Sequence, residues 1–482
     1  MKNYILISSL LASLTVFTEC ARNPVTGKKQ VVLMSESQEI AMGKEADPQI
    51  VAQFGLYEDS AIQSFIREKG KQMAAISHRP KLDYTFRVLN SEVVNAFAVP
   101  GGYVYFTRGI MTYLNSEAEF AGVLGHEIGH IAHRHTVEQQ RNAILGQLAI
   151  IAGIVIDPDL AVFAESASTG LQLLLLKNSR DAERESDQLG VEYSTKIGYD
   201  ASQMANFFTT LERQMQGTAA AELPEFASTH PNPGDRNTTV ARLATEWKQK
   251  LNLTNPVVNR NVYLRRIEGM VYGEDPREGF RENNVFYHPV LKFQFPIPAN
   301  WNYQNTPQRV QMAPQDGKAL MMLMLAQGNS LQEAANTFVQ QNKLSAIETR
   351  NITVNGISAF YVVADLQPQQ QGQAPLRTMS YFLQYNGNIY HLLGVSATAD
   401  FNNYVNSFRN SMEGFKQLTD PDRLNKKPDR IRIRTVGSAM SLSQFLRQQN
   451  VPDAKMEEHA VLNGMKLTDN VAQGTLIKIV GL

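Results

Sequence analysis

Cysteine is almost absent from this chain: its 482 residues include one, Cys20. The residues downstream therefore carry no thiol, which suits an oxidising envelope compartment without requiring one. An excess of charge is absent too, because Lys+Arg and Asp+Glu both number 46. No overall field then favours nucleic acid or an anionic membrane as a partner. The length allows two or three domains.

Long uninterrupted hydrophobic runs are missing as well. The two most apolar internal stretches, 143–156 and 160–176, are too short or too interrupted to be convincing transmembrane helices. We expect both to be buried core helices. The alternatives are a flap over a functional site, or a surface that contacts a membrane or a membrane-protein partner.

The N-terminus has the layout of a secretory signal over residues 1–20. Lys2 is followed by an apolar run over 4–17 and then by Cys20. A lone cysteine at this place resembles the lipidation site of bacterial lipoproteins, although Glu19 stands where a small residue is usual. We expect an exported, periplasmic lipoprotein whose N-terminal lipid contacts a membrane, more specifically the outer membrane. The alternative is an uncleaved anchor.

Hydrophobic periodicity predicts a first domain over 21–255. Helical spacing extends to about Ala75, where apolar residues recur at steps of three and four. Alternation on either side of Pro100-Gly101-Gly102 predicts two strands joined by a turn. From Ser116 the pattern is helical again, with Ser116 as the expected N-terminal cap.

Two further units are expected after turn residues near Asn255. The pattern over 256–422 predicts an α+β domain, with a helix near 330–342 and a glutamine-rich hairpin loop at 367–373. A charged linker then leads to a module at 428–482 with the order strand, helix, helix, strand. The sequence contains no tandem repeats.

The stretch 124–136, LGHEIGHIAHRHT, contains four histidines and a glutamate. His126 and His130 are four residues apart, so on a helix they share one face and lie one turn apart. This geometry suits two ligands of one zinc ion, and Glu127 is placed to reach a water at that metal. The H-E-x-x-H pattern therefore predicts a metal site.

The other two histidines are excluded as ligands by helical geometry. His133 lies about 10 Å along the axis from His126, and His135 is expected on the opposite face. A third ligand in the arrangement H-E-x-x-H-x-x-G-x-x-H is also excluded, since His133 and Thr136 occupy its glycine and histidine positions. We expect the helix to run on, so the third ligand must come from another element.

The best candidate for that ligand lies in the segment 179–190, SRDAERESDQLG. On a helix, Glu183 and Asp187 share a face with small residues, and Gly129 offers a matching small position beside the histidines. Close approach would let Glu183 reach the metal and Asp187 accept a hydrogen bond from a ligand imidazole. Glu185, on the far side, is expected to be a solvated charge.

These residues resemble the zinc metallopeptidases of the CAAX prenyl protease and HtpX type, gluzincins with H-E-x-x-H followed by E-x-x-x-D. The chain has HEIGH at 126–130 and ERESD at 183–187. It is most similar to the soluble, exported, BepA-like branch, through CARNPVTG at 20–27, NAFAVPGGYVYFTRGI at 95–110 and STHPNPGDR at 228–236. The resemblance covers about 20–255.

The resemblance implies one Zn²⁺ per chain, with His126, His130 and Glu183 as its ligands. Zinc held by three protein ligands lowers the pKa of its water and polarises a peptide carbonyl. Glu127 is then implied as the general base, which takes a proton during attack and delivers it to the leaving amine.

The resemblance also implies that His230 approaches the metal, either as a gating ligand or as a donor to the oxyanion. Arg236 is the reserve for the second role, and a third alternative is that His230 only fixes a loop. The strand at 93–99 is expected to hold an extended substrate along its edge. Specificity should accordingly be weak.

The expected fold class is α+β: a mainly helical zincin-type domain with a small edge-strand sheet, a second α+β domain, and a βααβ module that resembles LysM. The expected function is a zinc endopeptidase of the bacterial cell envelope that cleaves misfolded or unassembled exported and outer-membrane proteins. Alternatives are a chaperone-like or scaffolding protein with a rarely active zinc site, and a cell-wall-associated factor. Expected partners are unfolded substrates, outer-membrane assembly proteins and peptidoglycan, although the module could instead only dock on the protease or a partner.

Overall fold

The structure of the protein, a computed structural model, describes residues 19–32, 34–135, 137, 150–151, 154–155, 160, 163, 178–215, 226, 229–230, 235–368 and 373–482. It is mixed α and β, helical toward the N-terminus and rich in sheet toward the C-terminus, which confirms the coarse fold class. Within these residues, no helix has both the length and the apolar character that a membrane crossing needs.

Most helices of the first half surround one core. Buried Ile62, Phe65, Ile66 and Met73 lie on one helix of this set, as their spacing predicted. The helices are α1 (Glu36–Phe54), α2 (Ser60–Ala74), α3 (Arg108–Tyr113), α4 (Glu117–His133), α5 (Arg180–Lys196), α6 (Gln203–Met215), α7 (Arg236–Lys250) and α8 (Arg260–Ile267).

Short strands accompany these helices. A hairpin, β1 (Glu19–Arg22) with β2 (Lys29–Val32), precedes α1. A three-stranded sheet has the order β3-β5-β4 and consists of β3 (Thr85–Leu89), β4 (Ala96–Val99) and β5 (Tyr103–Thr107). β4 and β5 are antiparallel. Gly101 and Gly102 lie in the turn between these strands and have φ of 82° and 96°. The predicted strand, turn and strand are therefore confirmed, and β4 lies at an edge of the sheet.

The expectation of an apolar core helix at 143–156 is not met where the structure describes that stretch. β6 (Ile150–Ile151) pairs with β7 (Ile154–Val155) in a short antiparallel hairpin. β-Branched residues dominate this run, and they fit a strand at least as well as a helix. In the second stretch, 160–176, the described residues Leu160 and Phe163 are helical and buried against the second domain, as a core helix requires. The other residues of the two stretches lie outside the described part.

The first core extends past the boundary expected near Asn255. Tyr263, Leu264 and Ile267 of α8 are fully buried in it, and the Tyr263 hydroxyl donates to the carbonyl of Met111 at 2.7 Å. The packing therefore joins α8 to the first domain rather than to the second.

The second domain is built on a seven-stranded antiparallel sheet with apolar side chains on both faces. A four-stranded sheet lies beside it, with the order β18-β10-β9-β8. The strands are β8 (Phe280–Glu282), β9 (Val285–His288), β10 (Phe293–Pro296), β11 (Asn302–Asn305), β12 (Arg309–Ala313), β13 (Ala319–Leu325), β14 (Ser345–Val354), β15 (Ile357–Leu366), β16 (Leu376–Tyr385), β17 (Asn388–Ala397) and β18 (Lys416–Gln417).

One helix packs on each face of the large sheet. α9 (Leu331–Gln341), close to the predicted helix at 330–342, covers one face, and α10 (Phe401–Glu413) covers the other. A short α11 (Pro421–Leu424) follows. The glutamine-rich stretch joins the antiparallel strands β15 and β16, as a hairpin connection should, although 369–372 lie outside the described part.

The C-terminal module has the predicted order of strand, helix, helix and strand. β19 (Arg430–Thr435) pairs with the last strand, and a second small pair, β20 with β21, lies between them. The elements are β20 (Met440–Ser441), α12 (Leu442–Gln448), α13 (Met456–Leu462), β21 (Asn470–Val471) and β22 (Leu476–Gly481).

A buried lysine of this module forms hydrogen bonds to the first domain. Lys478 of β22 is fully buried, and its Nζ donates to the carbonyls of Thr112 and Leu114 at 2.7 and 3.0 Å. Ile431 and Leu476 of the module belong to the same apolar core as α4. The first domain and the C-terminal module thus share a core, although more than 360 residues separate Lys478 from its acceptors.

We expect Lys478→Ala to lower the free energy of unfolding by roughly 2–4 kcal/mol, because two buried carbonyls lose their hydrogen-bond donor and a buried side chain is truncated. Chemical denaturation of the full chain measures this change. Lys466→Ala, at an exposed position of the same module, is the matched control and should change stability by less than about 0.5 kcal/mol. Equal effects of the two substitutions would contradict the buried anchor.

Candidate metal centre

Helix α4 carries two histidines of the motif on one face. Ser116 caps its first turn, where the Oγ accepts the N–H of Glu119 at 3.0 Å. The rings of His126 and His130 are buried, and their Nε2 atoms lie 3.0 Å apart. Two imidazole nitrogens this close together are arranged as ligands of one ion.

Glu183 reaches the same position from α5. The two helices are in close contact, since a Cβ on Gly125 would lie 3.0 Å from the Cα of Gly190. Glu183 Oε2 lies 3.5 Å from His126 Nε2, and Oε1 lies 3.4 Å from His130 Nε2. The small residues therefore let α5 bring its carboxylate to both imidazoles.

These three side chains fit a zinc ion. Ligand atoms at the usual distance from tetrahedral zinc are about 3.3 Å from one another, and the separations here are 3.0, 3.4 and 3.5 Å. With His230 they form a buried group whose four ligand atoms lie within 4.8 Å of one another. The group can hold one metal ion, and zinc suits two imidazoles and a carboxylate.

The carboxyl group of Glu127 is buried next to these residues without hydrogen bonds from the described part of the protein. Neither carboxylate oxygen has a hydrogen-bond partner among the described residues. Burial raises the pKa of the carboxyl to about 8. Such a group is costly to fold, but a pKa near neutrality suits a side chain that takes up and releases a proton.

His230 reaches the group from a separate segment. Its ring stacks on Phe226 with centroids 4.3 Å apart, and its Nδ1 lies 2.9 Å from Thr229 Oγ1. Its Nε2 lies 3.5 Å from Glu127 Oε1. Burial lowers the pKa of His230 to about 4, so the ring is neutral at pH 7. A neutral imidazole can serve as a metal ligand or as a donor, according to its tautomer.

Asp187 and Arg236 lie on the outer side of His126. Asp187 Oδ1 is 2.9 Å from His126 Nδ1, the position predicted for a carboxylate that orients a ligand. Arg236 Nη2 donates to the same Oδ1 at 2.7 Å and lies 3.3 Å from Glu183 Oε2. Arg236 is thus engaged with two carboxylates, which makes it a poor reserve donor for an oxyanion.

The structure around the end of α4 corrects three sequence expectations. The helix does not run on: it ends at His133, and Arg134 has a left-handed backbone with φ 63°. This turn brings His135 to the same side as His130: the two Nδ1 atoms lie 3.0 Å apart, so His135 does not point to the opposite face. Glu185 is also more than a solvated charge, since its Oε2 lies 2.9 Å from His135 Nε2 while its side chain remains 46% exposed.

The turn at Arg134 depends on contacts that are remote in sequence. Arg134 Nε donates to Glu39 at 3.0 Å, and its Nη2 donates to the carbonyl of Met34 at 2.9 Å. Asn23 Nδ2 donates to the carbonyl of His133 at 3.3 Å. Asn23 is the first residue of the N-P-V-T-G motif. No local pattern in the sequence predicts that this motif contacts the end of α4.

The segment expected to hold substrate, 93–99, makes a backbone hydrogen bond to another part of the chain. β4 is an edge strand, and just before it the carbonyl of Val94 accepts the N–H of Phe226 at 3.1 Å. Because Phe226 also stacks on His230, the segment next to this edge is joined to the candidate metal ligands.

Comparison with known proteins agrees with this geometry. The model of Peptidase family M48 matches residues 60–244. A beta-barrel assembly-enhancing protease of Yersinia pestis is 29% identical over 263 residues, 52% of this chain and 52% of that protein. The mitochondrial metalloendopeptidase OMA1 of Arabidopsis thaliana is 30% identical over 186 residues, 38% of this chain and 36% of that protein.

The chain spans about half the length of the bacterial relative and about a third of the plant one. Among solved structures, cyanobacterial PsbP from Synechocystis covers 28% of this chain and 91% of its own at 8% identity, with a TM-score of 0.24. That score is too low to bear on the fold. The family match confirms the resemblance found in the motifs: residues 60–244, which hold the candidate metal centre, match the model of Peptidase family M48.

Proposed function

We propose that this chain is a zinc-dependent endopeptidase of the cell envelope. The observation that carries the proposal is the buried group of His126, His130 and Glu183, which fits one zinc ion and has Glu127 beside it. The match of residues 60–244 to the model of Peptidase family M48 supports it.

A bound zinc ion would supply Lewis acidity toward water and toward the carbonyl of a peptide bond. Glu127 is the general base: its carboxylate takes the proton of the attacking water and delivers it to the leaving amine. Asp187 accepts a hydrogen bond from Nδ1–H of His126 and so fixes the tautomer that leaves Nε2 free as a ligand. Arg236 neutralises part of the acidic charge around them.

The substrate is an unfolded or extended segment of another protein. β4 lies at a sheet edge and can add a strand by backbone pairing, which selects for extended shape more than for sequence. Two relatives are named for beta-barrel assembly or for metalloendopeptidase activity. Misfolded or unassembled exported and outer-membrane proteins are therefore the proposed substrates, and outer-membrane assembly proteins are proposed partners.

The proposed location is the periplasm, with residues 1–20 as an export signal and a lipid on Cys20 as the membrane contact. Residues 21–255, 256–422 and 428–482 are the proposed domains, with α8 packed on the first. For the C-terminal module, docking on the peptidase is better supported than peptidoglycan binding, because Lys478 and part of its apolar surface are buried in the first domain.

A second candidate function is favoured by the position of His230. Its ligand atom joins those of His126, His130 and Glu183 within one 4.8 Å group. As a fourth ligand, His230 would close the position that a substrate needs, and the chain would act chiefly as a gated, chaperone-like factor. We propose that His230 gates the peptidase rather than donating to an oxyanion.

We expect Glu127→Gln to reduce cleavage of an unfolded protein such as casein by about 10²–10⁴-fold, the usual contribution of a general acid–base group. Zinc content, measured by metal analysis, should stay at one ion per chain, because Glu127 is not among the proposed ligands. Undiminished cleavage by this variant would refute the endopeptidase proposal.

We expect Glu183→Gln to weaken zinc binding by more than the 10–100-fold that loss of an outer partner costs, because a charged ligand becomes neutral. Chelator competition on the full chain measures the affinity. Asp181→Asn, on the same helix but with a side chain 90% exposed, is the matched control and should bind zinc like the wild type. Equal affinities in all three proteins would remove Glu183 from the site.

We expect His230→Ala to raise peptidase activity several-fold and to weaken zinc binding, since the gating ligand is lost. Both quantities are measured on the same preparation. A fall in activity with unchanged zinc affinity would instead assign His230 to the oxyanion. No change in either would mean that His230 only orders its loop.

A further inference from the structure

A line of polar side chains extends from His130 toward the surface, on the side away from Glu183. His130 Nδ1 lies 3.0 Å from His135 Nδ1. On the other edge of that ring, His135 Nε2 lies 2.9 Å from Glu185 Oε2. His135 is 4% exposed, whereas the Glu185 side chain is 46% exposed. The line therefore runs from a buried imidazole to a carboxylate at the solvent boundary.

Protonation assigns one role to each atom of this line. If His130 Nε2 binds the metal, the neutral ring carries its proton on Nδ1 and must donate there. His135 Nδ1 is then the acceptor, so the proton of His135 is on Nε2, where it donates to the Glu185 carboxylate. Ser186 Oγ, 3.3 Å from His135 Nδ1, can donate to the same nitrogen. The three separations suit this single assignment.

The same residues can be considered as a second metal site. His133, His135 and Glu185 offer ligand atoms within 4.8 Å of one another, and His133 Nδ1 is buried with no hydrogen-bond partner in the described part of the chain. A metal at His135 Nε2, however, would move the proton of that ring to Nδ1. Two N–H groups, of His130 and His135, would then face each other at 3.0 Å.

This clash between two N–H groups decides whether His135 donates to Glu185 or binds a second metal ion. Because the rings of His130 and His135 meet through their Nδ1 atoms, an ion on the Nε2 of one removes the acceptor that the other needs. Zinc at His130 is therefore compatible with a hydrogen bond from His135 to Glu185 and incompatible with a second ion at His135.

We propose that His135 and Glu185 are positioning residues for the second zinc ligand. They fix the tautomer and orientation of His130, as Asp187 does for His126, and the Glu185 charge strengthens the bond through His135. The proposal rests on the proposed zinc centre. It also gives a function to the left-handed turn at Arg134, which directs His135 back toward His130.

The test compares three variants of the full chain by chelator competition for zinc. His135→Leu removes the acceptor and should weaken zinc binding by about 10–100-fold. His135→Asn should recover much of the affinity, because its Oδ1 can accept from His130 Nδ1–H. His133→Phe, the matched control, keeps a ring stacked on His135 and lacks ligand nitrogens, so its affinity should equal that of the wild type.

Two further measurements separate positioning from folding. The melting temperature of the zinc-free chain should be similar in His135→Leu and His133→Phe, and the visible bands of bound Co²⁺ should change only in His135→Leu. If His135→Leu does not fold, Glu185→Gln serves instead: it keeps a neutral acceptor at a half-exposed position and should weaken zinc binding several-fold.

The outcomes are distinguishable. A wild-type chain that binds no zinc overturns the proposed function and this inference together. Normal zinc binding by the wild type, His135→Leu and Glu185→Gln overturns only the positioning role. Two ions per chain, with one lost in His133→Phe, would establish the second metal site and refute the proposal.

Discussion

The contact between α4 and α5 is the constraint on which the candidate centre depends. Gly125, Gly129 and Gly190 let the two backbones approach so closely that an added Cβ at Gly129 would lie 3.2 Å from the backbone of Ser186. A larger side chain on either helix would push them apart and withdraw Glu183 from His126 and His130, whose atoms it meets at 3.4–3.5 Å. His130 and Glu183 are more than fifty residues apart in the chain, so only this packing makes the ligands one group.

Such a group is expensive to bury, and its surroundings show how the cost is offset. Buried carboxylates and imidazoles lose hydration that hydrogen bonds or opposite charges must replace. On one side, Asp187 and Arg236 neutralise and orient His126. On the other side, His130 meets His135, which continues to Glu185.

The second domain and the C-terminal module both pack against other parts of the chain. The C-terminal module places Lys478 and apolar residues such as Ile431 in the core of the first domain. In the connection between α4 and α5, Phe163 packs on Phe338 of the second domain, with ring centroids 6.5 Å apart. The C-terminal module thus packs on the first domain, and the second domain contacts the connection between α4 and α5.

The sequence by itself determined the features that depend on local spacing: the face shared by His126 and His130, the face shared by Glu183 and Asp187, and the strand pair around Gly101-Gly102. Helical and strand periods act over a few residues, so a pattern of that length predicts them. Only the tertiary structure decided that α4 ends at His133, because the turn at Arg134 depends on Glu39, 95 residues earlier. It likewise decided that the C-terminal module is anchored through Lys478. Contacts across such separations leave no periodic pattern, since the two partners lie in segments whose local sequences are independent of each other.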